Sequence, residues 1–240
     1  MYNIPMSNQF EYEERYKVSD PDTVQRVLEA DGFRPNGGEM QTDHWFIPKY
    51  IMSPAEQTQW FDHDKGYAVR LREQVIGDRR KLLITSKQLL RPADHSAMTN
   101  NEADLNIDGM RHTLTPVGSE FHELLAELAT YDGNHSLSLE EAKRLIESAG
   151  RKDYLIINKQ RTTFRNAQLP DVVADLDCVP ALASTDLGFS AAIELEYSGS
   201  GSLDEAKATV RTLSARLGYK QKDILTMALP GLAIKYLAVF

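Results

Sequence analysis

A single cysteine, Cys178, occurs in 240 residues. An intrachain disulfide is therefore excluded, and a reducing compartment is the expected home. Long apolar runs are missing too: none approaches the ~20 residues of a transmembrane helix. The opening MYNIPMSNQF has neither the basic nor the apolar region of a secretory leader. The expectation is a cytoplasmic chain with no membrane partner. Basic residues are in the minority, 27 Lys and Arg against 35 Asp and Glu, for a net charge of −8. Nonspecific binding to nucleic acid is not expected of such a surface. There is no Walker-type glycine loop and no Gly-x-Ser-x-Gly elbow. His112, His122 and His135 lack metal-ligand spacing. His63, between Asp62 and Asp64, reads as a solvated turn, because consecutive residues rarely all face one ion.

What the chain does have is charge that alternates with neutral side chains inside strand-like segments. Glu11, Glu13, Arg15 and Lys17 sit two apart, as do Arg70 and Arg72, Lys159 and Arg161, and Glu194 and Glu196. Residues two apart in a strand share a face. Each segment thus gathers its charges on one side of a sheet and its apolar or aromatic residues on the other. One such strand is ordinarily a solvated face. Several with matched parity favour charged faces that look at one another and enclose a polar cavity.

Around these strands lie helix and turn signals. Ser19-Asp20-Pro21 caps a helix with an apolar stripe at Val24, Val27 and Leu28, ended by Gly32. The turn-rich RPNGGE leads to a short strand around Trp45 and Phe46. Two strands between Lys65 and Leu90 meet at a hairpin turn near Gly77-Asp78. Arg91 to Gly118 is polar and weakly periodic and reads as a long loop. A helix is expected over Phe121, Leu124, Leu125 and Leu128. Ser138-x-x-Glu141 and Ser202-x-x-Glu205 are capping boxes for two further helices, ending near Gly150 and Gly218. Strands are expected at Tyr154–Phe164, Val172–Val179 and Ala191–Tyr197. A weak echo links Glu11–Phe33 with Glu194–Tyr219: a Glu-x-Glu strand, a capped helix, then glycine and an aromatic. No linker divides the chain, so residues 1–240 read as one domain with an unassigned excursion at about 91–150. Hairpin-joined strands indicate a mostly antiparallel sheet.

Burying Glu11 and Glu13 on one face is costly without cations, since like charges repel and each buried ion loses its hydration. Arg15 and Lys17 supply some compensation, and a bound divalent ion supplies more. Carboxylates without nearby histidine or cysteine favour a hard cation, Mg²⁺ or Mn²⁺. On the basic side, Arg70, Arg72, Lys81, Lys87, Lys159 and Arg161 are suited to phosphate oxygens. Cationic strands beside acidic ones match a metal-bound polyphosphate better than a single phosphate.

These segments, in order, resemble the CYTH superfamily, the triphosphate tunnel metalloenzymes. EYEERYKV resembles its Glu-x-Glu-x-Lys signature and QTDHWF its second strand. AVRLRE and ITSKQ resemble its Arg-x-Arg and Thr-x-Lys strands, and INKQRTTF its Lys-x-Arg strand. DLDCV and LGFSAAIELEY resemble its last two acidic strands. The resemblance spans about residues 9–238 and implies an α+β fold, a closed antiparallel β-barrel forming a tunnel with helices packed outside. It implies metal binding by Glu11, Glu13, Asp177, Glu194 and Glu196, with Asp175 sharing the parity of Asp177. It implies a triphosphate grip by Arg70, Arg72, Lys87, Lys159 and Arg161. Arg15 stands where the signature has lysine; it keeps the charge but cannot lose a proton near neutral pH. Its expected part is charge neutralisation, with Lys17 the neighbouring amine. Cys178 should point away from Asp177 into the outer core.

The expected activity is Mg²⁺- or Mn²⁺-dependent hydrolysis of a small-molecule triphosphate, inorganic or organic. Glu196 is the expected orienter of water, and Arg15 and Lys17 lie beside it in the catalytic set. The competing expectations are cyclisation of ATP, as in class IV adenylate cyclases, and non-catalytic binding of polyphosphate or nucleotide. A homodimer stays open, since no stripe in the chain decides it.

Overall fold

Alternating side chains on nine strands build one large antiparallel sheet, and amphipathic helices cover its outer face. The computed structural model describes residues 12–51, 53, 56, 67–90, 98–106, 112–114, 138–184, 188–225, 229, 232 and 233, without the side chains of 67, 68, 86–90, 98–106 and 112–114. In chain order the elements are β1 (Tyr12–Val18), α1 (Pro21–Ala30), β2 (Arg34–Pro48), β3 (Tyr67–Ile76), β4 (Arg79–Leu90), β5 (Met98–Asn106) and β6 (His112–Leu114), then α2 (Leu139–Ser148), β7 (Arg151–Asn166), β8 (Leu169–Cys178), β9 (Ala191–Tyr197) and α3 (Leu203–Arg216). The strands lie in the order β1-β9-β8-β7-β2-β3-β4-β5-β6. In addition, Tyr12 and Glu13 of β1 register with Thr99 and Met98 of β5.

The helix starts follow the side-chain chemistry. The Asp20 carboxylate accepts the amides of Asp22 and Thr23, with proline at the first turn of α1. Both Ser138–Glu141 and Ser202–Glu205 form reciprocal capping boxes at α2 and α3. The β3–β4 hairpin turns at Gly77, whose φ of 56° is one that a side chain disfavours.

Two expectations are corrected. RPNGGE is not a turn before a short strand. It forms the first part of β2, where a register shift against β7 between Pro35 and Gly38 absorbs the glycine pair as a bulge. Likewise the polar stretch after Arg91 is not one long loop, because β5 and β6 lie within it. Neither face of β5 carries enough apolar residues to announce a strand; its pairing with β4 defines it. The helix expected over Phe121–Leu128 falls outside the described residues.

The main core lies between the outer face and the helices. Tyr12, Tyr16 and Val18 of β1 pack with Phe164, Val172, Ala174, Leu176, Ile193 and Leu195 from neighbouring strands. Leu28 of α1 and Ala206, Val210 and Leu213 of α3 close the cluster, and Cys178 packs against it as expected. The echoed strands β1 and β9 are direct antiparallel neighbours, and the helices that follow them share this cluster. No helix among the described residues is long and apolar enough to cross a membrane.

Candidate functional site

Strand register gathers the charged side chains. Arg15 stands opposite Glu194, and Glu13 opposite Glu196. Glu194 is in turn opposite Asp175, which registers with Thr163, while Asp177 registers with Arg161. Lys159 pairs with Gln41 and Arg161 with Glu39, Asp43 with Arg72, and Arg70 with Thr85. Directly opposed side chains in an antiparallel pair lie roughly 5 Å apart, so this register alone produces a continuous charged face across β1, β9, β8, β7, β2, β3 and β4.

The side chains form an ion-pair web. Arg161 donates to Asp175, to both oxygens of Asp177 and to Glu194, each at 2.6 Å. Lys159 Nζ donates to Asp177 Oδ2 at 2.6 Å. Asp43 accepts a two-pronged grip from Arg72, 2.5 Å from Nε and 2.7 Å from Nη2. Arg15 Nε donates to Glu194 at 2.8 Å, and its Nη2 reaches both Glu194 and Glu13. Arg70 donates to Thr85 Oγ1 at 3.0 Å and lies over the Trp45 ring, 5.5 Å from its centroid.

Burial and pairing compete in setting protonation. Burial alone would weaken the charge of Arg161, but Asp177, Glu194 and Asp175 hold its pKa well above the ordinary value. Arg15 is raised in the same way, against burial, by Glu194 and Glu13. Burial and then Arg161 bring Lys159 down to about 8 despite Asp177. Asp43 lies well below the usual carboxylate range: burial opposes this, and Arg72 outweighs it. Asp177 is lowered, against burial, by Arg161 and Lys159. Asp175 goes the other way, with burial raising it against the pull of Arg161.

Of the residues singled out from sequence, Glu13, Arg15, Arg70, Arg72, Lys159, Arg161, Asp177, Glu194 and Glu196 fall on this one face, and Asp175 joins them. Lys17 stands apart: it is exposed, and its ammonium lies over the Phe189 ring. Glu11 lies outside the described residues, and of Lys87 only the register is described, opposite Ala68 and Glu102. Sequence reasoning missed Asp43, Gln41 and Thr163, while Thr85 stands in the segment that resembles the Thr-x-Lys strand. The signal for the first two was present, since Gln41, Asp43 and Trp45 alternate within a single segment.

At one end the charged face gives way to an apolar wall. Trp45, Ile157 and Ala192 continue the parity of Asp43, Lys159 and Glu194, and pack with Val179, Leu182, Phe189, Leu225, Leu229 and Leu232. At the other end Glu39, Gln74, Thr163 and Glu196 are half-buried. A hard divalent cation fits the donor chemistry, because Glu13 and Glu196 present carboxylates across β1 and β9. Among the described residues, however, no three carboxylate, imidazole or thiol groups converge on one point.

No family model matches this chain, and no curated protein matches it. Solved structures do. Protein PH1819 of Pyrococcus horikoshii OT3 superposes with a TM-score of 0.62 at 16% identity, over 94% of this chain and 98% of that one. PH1012 of the same organism gives 0.59 at 19% identity, over 91% and 96%. A candidate adenylate cyclase from Vibrio parahaemolyticus gives 0.59 at 14% identity, over 95% and 99%. At these identities the likeness is one of fold.

Proposed function

We propose that this chain, whose fold is that of the CYTH-type proteins its sequence resembles, is a divalent-metal-dependent hydrolase of a small-molecule triphosphate. The observation that carries the reading is the single face on which Arg15, Arg70, Arg72, Lys159 and Arg161 interleave with carboxylates. So much matched charge, buried and hydrogen-bonded, is costly as mere structure. It suits an extended polyanion. The β1–β5 register supports closure of the sheet into a tunnel around this face.

In this reading the guanidiniums and Lys159 spread along the phosphate oxygens, neutralise charge and set the terminal group in line. Asp43 holds the Arg72 fork in one orientation. The apolar wall around Trp45 and Ile157 closes one end, so the substrate enters from the half-buried end at Glu39, Gln74 and Glu196. Glu13 and Glu196, opposite one another on β1 and β9, would hold Mg²⁺ or Mn²⁺, with Glu11 two residues before Glu13 in the sequence. Such an ion, when bound, supplies charge for the phosphate oxygens and a more acidic water. Glu196 orients a water and takes its proton as the water oxygen attacks the terminal phosphorus. The bridging P–O bond to the terminal phosphorus breaks, the diphosphate part leaves with the electron pair, and the terminal group departs as orthophosphate.

The test is incubation with tripolyphosphate, ATP and thiamine triphosphate in Mg²⁺ or Mn²⁺, followed by phosphorus NMR. Orthophosphate production that disappears in Glu13→Gln is the expected result. Pyrophosphate with cyclic AMP would establish cyclisation instead, the activity named for the Vibrio neighbour. Binding without turnover would establish a non-catalytic polyphosphate receptor.

A further inference from the structure

We propose that the tip of the β3–β4 hairpin is a peripheral membrane-docking element: it seats exposed apolar side chains among anionic lipid headgroups and holds them there with exposed cations. This role is independent of the charged face and of the reaction assigned to it.

The tip joins two features that a solvated turn does not need together. Of the large apolar side chains exposed among the described residues, Met40 at 53% and Val75 and Ile76 at 39% each are gathered here. Met40 stands directly opposite Val75 across β2 and β3, and Ile76 is the last residue before the turn at Gly77. Apolar side chains that cluster in this way mark a contact surface, whereas scattered ones do not. After the turn come Arg79, Arg80 and Lys81, all exposed. Arg79 stands opposite Ile76, Arg80 opposite Val75 and Lys81 opposite Gln74, so both apolar residues of β3 have a cation across the hairpin. Arg80 is bridged to Glu73, while Arg79 and Lys81 have no carboxylate partner among the described residues. The turn itself adds one carboxylate, Asp78. The tip also projects: β2 registers with β3 only as far as Val75, and β5 with β4 only from Leu83. Residues 76–82 therefore extend past both neighbouring strands.

A membrane surface suits this combination better than a folded partner. Val75 and Ile76 are consecutive in a strand and point to opposite faces of the hairpin. A lipid interface envelops both, whereas a flat protein surface covers one. Cations within about a Debye length of an anionic leaflet, ~8 Å at physiological salt, are drawn to it, and apolar side chains that reach the headgroup–acyl boundary leave water. The net charge of −8 opposes a membrane partner for the chain as a whole, but at this range the local charge decides. The acidic body then serves to orient the approach, because it repels the leaflet wherever the tip does not lead.

The test is sedimentation of the full chain with vesicles of phosphatidylcholine alone and of equal parts phosphatidylcholine and phosphatidylserine. The expected result is binding to the mixed vesicles that declines as salt is raised, and none to phosphatidylcholine alone. Replacing Arg79→Gln and Lys81→Gln together should weaken binding about 25-fold, from about fivefold for each cation near a charged leaflet. Replacing Val75→Ser and Ile76→Ser together should weaken it about tenfold, for the apolar area that no longer leaves water. Arg80 is kept in both variants because it bridges Glu73, and circular dichroism checks that each is folded. Equal wild-type binding to both vesicles, or binding to neither, overturns the inference without recourse to a variant. Undiminished binding by either folded variant overturns it as well. Capture of polyglutamate in preference to the mixed vesicles would assign the tip to an acidic protein partner and overturn the membrane reading.

Discussion

Asp43 holds a neighbouring charge in place on the charged face. It is 3% exposed, and its carboxylate is engaged by Arg72 on both oxygens. Asp43→Asn would leave the Arg72 charge buried and poorly matched, and we expect about 3 kcal/mol less stability by urea denaturation at neutral pH. The pH dependence has a definite sign. A carboxyl whose folded pKa is depressed contributes stability that is fully present above its unfolded value, near 4, and is lost as the pH falls toward the folded value. Asp43 is depressed in this way by Arg72. The wild type should therefore lose stability steeply below about pH 4, and Asp43→Asn should flatten that slope. An unchanged slope would show that Asp43 is not among the carboxyls that control acid unfolding.

At the scale of elements, β1 works on both its faces. Glu13 and Arg15 belong to the charged face, while Glu14, between them, is buried in the outer core. There Tyr12 donates to Glu14 Oε1 at 2.8 Å and Tyr16 donates to Oε2, with Arg211 of α3 3.5 Å away. Helix α3 is thereby tied to the strand that carries the site. Tyr12→Phe removes one donor from a buried carboxylate and should cost about 1–2 kcal/mol of stability. It should leave the affinity for tripolyphosphate unchanged within error, as read by calorimetry; a large loss of affinity would show that β1 transmits strain between its faces. Ser202→Ala, at the capping box that starts α3, should cost about 1 kcal/mol in the same denaturation assay.

For the molecule as a whole, folding brings together charges that separately would prefer water. Arg161 pairs at once with Asp175, Asp177 and Glu194, contributed by two other strands. A polyanion that binds the folded chain and not the unfolded one should raise the melting temperature by an amount that grows with the logarithm of its concentration above Kd. Tripolyphosphate at about 100 times its Kd should add about 2.7 kcal/mol of stability. We expect this shift to shrink as sodium chloride is raised, because charge contacts of this kind are screened by salt. A shift in full-chain melting that equally concentrated sulfate reproduces would argue against recognition of a chain of phosphates.

Much of this was legible from residue order. Two-residue spacing placed Glu13, Arg15, Asp177, Glu194, Arg70 and Lys159 each on a charged strand face, because parity is a local property of the backbone. Capping boxes at Ser138 and Ser202 set their helix starts for the same local reason. Partnership was not legible. That Asp43 meets Arg72, that Arg161 meets three carboxylates, and that Lys17 parts from Glu13 and Arg15 to lie over Phe189 depend on register between strands distant in sequence. The strand character of β5 likewise came from pairing with β4. Which side of each strand is charged follows from the order of residues, since alternation needs no neighbour. Which charges meet follows from the folded sheet, because cross-strand register is set by turns, bulges and packing summed over all its strands.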